Sequence, residues 1–185
     1  MEAWMWIVLA LVVVAVLAVG WQAMRSRQSK QLQEGFGSEY EHVVEETGDK
    51  RDAERELKER RDRREELEIR PLSGEARSRY TSEWRAVQAR FVDEPEAAVG
   101  DADRLVQEVM ADRGYPVDDD FERRAADVSV DYPEVVENFR EGHRIVHEQD
   151  QGNGDTESLR QAMVHFRSLF DELLGEERTP EEARR

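Results

Sequence analysis

Hydrophobic and polar positions divide this chain into three regimes. Residues 3–21, AWMWIVLALVVVAVLAVGW, hold no charge and one glycine. At 1.5 Å per residue that run makes a helix of roughly 28 Å, about the thickness of a bilayer hydrocarbon core. Trp4 and Trp6 at one end and Trp21 at the other suit the interfacial belts where indole rings settle. A cleaved signal peptide is the rival reading. It needs a basic segment ahead of a shorter apolar stretch, and only Glu2 precedes this run, although Ala18 and Gly20 could imitate a cleavage site. The pattern predicts a retained membrane helix over 3–21.

In the juxtamembrane segment 22–47, Leu32, Phe36, Tyr40, Val43 and Val44 recur at helical spacing. Gly35 and Gly37 oppose a helix there, each costing about 1 kcal/mol in a helix interior. The strip suits either an interfacial helix on headgroups or a short helix packed on the soluble domain. Residues 48–70 are almost all strong helix formers, with acid-before-base pairs Glu54–Lys58, Glu56–Arg60, Glu59–Arg63 and Glu66–Arg70. Each pair adds about 0.2–0.5 kcal/mol to a lone helix. A heptad through Ala53 and Leu57 puts Arg60 and Arg64 at core positions, which argues against a two-stranded coiled coil. The expectation is a solvated helical stalk reaching about 34 Å and ended by Pro71.

Residues 73–175 read as an all-α bundle of about five helices. Tyr80, Trp84, Val87 and Phe91 form the first apolar stripe, and Asp93, Glu94 and Pro95 break and restart the chain. Ala98, Ala102, Leu105, Val109 and Met110 form the second, stopped by Gly114. Asp118-Asp119-Asp120 starts a third helix through Phe121, Ala125 and Val128. Asp131-Tyr132-Pro133 opens a fourth with Val135, Val136, Phe139 and Val146. Asp155 or Thr156 caps a fifth through Leu159, Met163, Phe166, Leu169, Phe170 and Leu173, ended by Gly175. Residues 176–185 read as a disordered polar tail.

Several of these words recur together. Arg79-Tyr80, Trp84, Gln88, Phe91-Val92-Asp93, Pro95, Ala102-Asp103, Leu105-Val106, Val109-Met110, Arg113-Gly114-Tyr115-Pro116 and Leu159-Arg160-Gln161-Ala162-Met163 resemble a bacterial family of single-span membrane proteins with a C-terminal helical domain. The resemblance covers most of residues 73–174. It implies this architecture and brings no activity, ligand or catalytic residue.

Charge adds direction and excludes some partners. The net charge is -16. Residues 71–175 hold twelve arginines against twenty-four acids, so phosphate backbones are repelled and nucleic acid is not an expected partner. Arg60, Arg61, Arg63 and Arg64 suggest an RNA-binding helix, but the interleaved acids oppose it. Arg25, Arg27 and Lys30 directly follow the apolar run, which places the N-terminus outside and the C-terminal domain in the cytoplasm. They also sit where anionic headgroups attract them. The absence of cysteine removes disulfides and thiolate chemistry.

Candidate chemistry is sparse. His143 and His147 stand one helical turn apart and could share a metal, but two nitrogens leave zinc short of ligands and a core-flanking role suits His143 better. The three aspartates lack a calcium-loop pattern, and no phosphate-cradling glycine loop or nucleophile elbow occurs. Trp84, Arg85 and Gln88 are candidate partner contacts: Trp84 suits the core, or anchors an interface with Arg85 and Gln88 flanking a groove that receives a partner segment. The expected function is a membrane-anchored protein-interaction module, adaptor or scaffold, with no catalysis and no cofactor. The alternative is a small ligand- or metal-sensing or catalytic domain using His143 and His147.

Overall fold

Why the chain breaks where it does is set by a few glycines, prolines and capping side chains. The computed structural model describes residues 3–151 and 155–175, with side chains lacking description at residue 150 and at most positions before residue 26. Among the described residues there are seven helices and no strand: α1 (Ala3–Thr47), α2 (Lys50–Glu66), α3 (Gly74–Arg90), α4 (Pro95–Arg113), α5 (Phe121–Val128), α6 (Val136–Asp150) and α7 (Thr156–Leu174). The chain divides into two units, residues 1–58 and 59–185, and the division falls inside α2.

In the first unit, α1 is interrupted at Gly37, whose φ of 49° and ψ of -124° are not helical. That positive φ is cheap only without a Cβ. Leu32, Phe36, Tyr40 and Val43 are buried, as are Ala53 and Leu57 of α2. The Tyr40 hydroxyl donates to Glu54 at 3.1 Å. Asp49 caps α2 by accepting from the backbone N–H groups of Arg51 at 2.7 Å and Asp52 at 3.2 Å. The apolar strip of residues 32–43 is therefore a protein-covered face. Residues 3–21 are helical in backbone, but only Leu11, Leu17 and Gly20 among them are described further, so the side chains of the expected membrane helix, its Trp4, Trp6 and Trp21 belts included, lie outside what is described, as does the side chain of Arg25. Among the described residues no helix is long and apolar enough to cross a membrane. Arg27 and Lys30 are exposed.

The second unit corrects the expected stalk. The helix ends at Glu66, four residues before the Arg70-Pro71 junction expected to stop it. One face of its C-terminal half is covered: Arg60 is 4% exposed, Arg63 pairs with Asp127 at 3.6 Å, and Arg64 pairs with Asp131. The stalk boundary at residue 70 is thus replaced by one inside α2. The strap that follows is tied down where the Arg70 N–H donates to the Arg113 carbonyl at 2.9 Å. Gly114, with φ 97°, lets the strap pass, since a Cβ there would lie 2.6 Å from the Glu68 carbonyl oxygen.

Five helices occupy residues 74–174. Ser73 caps α3 through the Ala76 N–H, Asp120 caps α5 through Arg123, and Asp155 caps α7 through Ser158. Gly114 and Gly175 end α4 and α7 with positive φ, as the sequence predicts. The fourth helix starts later than expected, three residues beyond Pro133, without a side-chain cap. α7 packs on α4 and α6, α3 packs on α4, and α5 packs on α6. The core is aromatic: Trp84 stacks on Phe170 at 4.5 Å, Phe121 tilts on Phe139 at 4.9 Å, and Phe166 meets Phe139 edge-on at 6.3 Å. Gly142 admits the Phe166 ring, which would lie 3.1 Å from an added Cβ. The last carbonyls of α7 accept from Arg113 at 2.7 Å (Leu173) and Arg77 at 3.1 Å (Leu174).

Candidate functional site

The predicted group on α3 is divided by the fold. Trp84 is 3% exposed and stacked in the core, so it cannot touch a partner; its indole N–H has no hydrogen-bond acceptor among the described residues. This corrects its assignment as a partner contact. Its position in the Tyr80–Trp84–Val87 stripe decides its burial. Arg85 and Gln88 are exposed. Gln88 and Phe91 on the end of α3 face Met163, Val164, Arg160 and Arg167 on α7 across a cleft of about 240 Å³. Arg85 does not line it.

This cleft has an apolar floor and a cationic rim. Val164 is 57% exposed although its neighbours Ala162 and Met163 are buried. Arg160 and Arg167 lie two turns apart on α7. Each is held in place by a local acid, Arg160 by Glu157 at 2.6 Å and Arg167 by Asp171 at 3.2 Å. Exposed pairs of this kind are weak enough to exchange partners. The site can grip one or two apolar side chains. Val164 was missed from the sequence because it stands just off the stripe that marks the buried face of α7.

His143 and His147 do not act together. The His143 ring stacks flat on Phe121, centroids 3.7 Å apart and planes 4° from parallel, while exposed His147 shares a hydrogen bond with Gln151 at 3.0 Å. Among the described residues no three His, Cys, Asp or Glu side chains gather as a metal group. The remaining polar group of this region is Asp103, which accepts from Gln107 at 2.7 Å. Burial pushes the His143 imidazole below its ordinary value, against the opposing pull of Asp103, and Arg124 pushes the same way as burial. Burial likewise raises the Asp103 carboxyl, opposed by His143 and Arg124. Arg124 is 6% exposed and donates to the Asp118 carbonyl, which lies in the aspartate run. The pattern could have shown Asp103, since it completes the stripe Val99–Asp103–Val106–Met110.

A third polar cluster ties α2 to the α5–α6 connection. Arg60 donates toward the Ser129 hydroxyl at 3.5 Å, Arg63 faces Asp127, and Asp131 takes both Arg64 and the Tyr115 hydroxyl. Burial raises the Asp127 carboxyl, with Arg63 and Arg123 opposing. Arg60, Arg63 and Arg64 are thus engaged by acids and a hydroxyl of their own chain.

Comparison with known families, with curated proteins and with solved structures finds no match. The class the fold defines is an all-α protein with a helical bundle, and its functional reading rests on the geometry above.

Proposed function

We propose that this chain is a membrane-tethered helical interaction module, an adaptor or scaffold without catalysis. The observation that carries the interaction role is the α3–α7 cleft, where exposed Val164, half-buried Phe91 and buried Met163 meet between arginines. Exposed apolar side chains in a concave site are the usual anchor points of a partner segment. The tether is supported by the uncharged run 3–21, by the helical backbone that continues through it, and by Leu11 and Leu17, which stand 63% and 66% exposed. The cations after the run favour a cytoplasmic bundle. Tethering raises local concentration, so a modest affinity suffices. The resemblance to single-span proteins agrees with this arrangement.

The test is site-specific photocrosslinking of the full-length chain in membranes. Photoreactive residues at positions 88 and 164 are expected to give the same partner adduct, absent at exposed position 144 of α6 and lost with Met163→Glu. Equal adducts at all three positions would remove the cleft as the interaction site.

A further inference from the structure

We propose that a second cleft, within residues 1–58, holds the phosphate of an anionic phospholipid headgroup; this rests on the membrane anchorage proposed above. The cleft measures about 490 Å³ and lies between α1 and the start of α2. Ser26, Ser29, Lys30 and Gln33 line it from one face of α1, and Lys50 and Arg51 line it from α2. Residues twenty positions apart meet there because the helix breaks at Gly37 and the chain returns, bringing the first turn of α2 to the level of residues 22–33.

The lining suits a phosphodiester. Three cations offer charge-assisted donors, and two hydroxyls and an amide offer neutral ones. Two carboxylates, Asp49 and Glu54, also line the cleft, but both are engaged. Asp49 is turned to the α2 backbone N–H groups, which hold its carboxyl below the usual range. Glu54 accepts the Tyr40 hydroxyl and pairs with Lys50 at 3.7 Å. A net-positive cleft on a chain of net charge -16 selects for an anion.

Position chooses the lipid over free phosphate. Gln22, another lining residue, directly follows the apolar run, Ser26 stands about 6 Å further along the helix axis, and Lys30 about 12 Å. Headgroup layers extend roughly 5–8 Å beyond the hydrocarbon core, so the Gln22–Ser26 end of the cleft opens into that layer when residues 3–21 cross the core. Lys50 and Arg51 are then delivered to the membrane surface by the return of the chain and not by nearness in sequence.

The experiment uses the full-length protein in detergent micelles holding equimolar phosphatidylglycerol and phosphatidylcholine, with retained lipid read by native mass spectrometry. Phosphatidylglycerol is expected to be retained over phosphatidylcholine by roughly tenfold or more, from two to three headgroup-facing cations. The Lys50→Gln/Arg51→Gln variant is expected to lose most of that preference. Arg55→Gln/Lys58→Gln, with equal charge loss one turn further along α2, is expected to keep it. Equal retention of the two lipids, or equal loss in both variants, overturns the proposal, as does displacement of the lipid by inorganic phosphate. Flotation with phosphatidylcholine vesicles separates the two readings. A chain that floats but shows no headgroup preference keeps its anchor and loses this site, whereas one that does not float loses both.

Discussion

α7 buries Leu159, Ala162, Met163, Phe166, Leu169, Phe170 and Leu173 along one face, whereas the C-terminal half of α2 buries Arg60 and turns Arg63 and Arg64 inward. Both are helical stripes packed in the same unit, but they follow different rules. Each large apolar side chain on α7 contributes about 1.5–3 kcal/mol whatever it touches, so long as water is excluded. A guanidinium taken from water loses several kcal/mol and recovers it only against a well-placed acid or hydroxyl. Asp127, Ser129 and Asp131 supply those partners from more than sixty residues away. The apolar stripe holds the fold together, and the arginine stripe makes one docking of α2 acceptable among many that are not.

The sharpest way to break this comparison is at Phe166, fully buried between Phe139 and the Gly142 backbone. Phe166→Ala is expected to cost about 3–5 kcal/mol by leaving a cavity, read as a lowered urea midpoint with unchanged slope. The arginine stripe should respond less and with a different signature. Asp127→Ala is expected to cost about 1–2 kcal/mol, a discounted value because Arg63 is 41% exposed and keeps part of its hydration. The double variant Arg63→Met/Asp127→Leu should recover at least half of that loss. If single and double variants unfold at the same midpoint, the pairing carries no specificity.

His143 lies between the two regimes, a titratable ring on an aromatic face, and its effect should be the smallest. Its folded-state value is lowered, so the unfolded chain takes up the proton first as pH falls. Stability is then expected to drop as pH falls through the ordinary imidazole value of 6.5 toward the lowered one. Asp103, with its raised value, acts with the opposite sign from the carboxylate range upward, so the window of interest lies just below 6.5, above the carboxylate range. His143→Phe should flatten the dependence of the urea midpoint on pH there. An unchanged pH profile would show that the ring is not desolvated.

Much of the fold was legible because capping and periodicity are local. Asp120 and Asp155 cap helices that begin at the next residue, and Gly114 and Gly175 end α4 and α7. The later start of α6 was not legible, because the turn at Asp131-Tyr132-Pro133 is held by Tyr115 and Arg113 from elsewhere in the chain. Half of the candidate cleft was visible in Gln88. Its other wall needed α7 to lie against α3, and no spacing within one helix reports that.

The division has one physical origin. Whether a residue prefers water or hydrocarbon is its own property, so the uncharged run at 3–21, the helical periods and the five bundle helices follow from the amino-acid order alone. Whether a charge can be buried depends on what stands opposite it. The heptad position of Arg60 and Arg64 speaks against a helix pair as long as the partner is unknown. The tertiary structure brings Asp127, Ser129 and Asp131 to that stripe, and the same arginines become the contacts that place the helix.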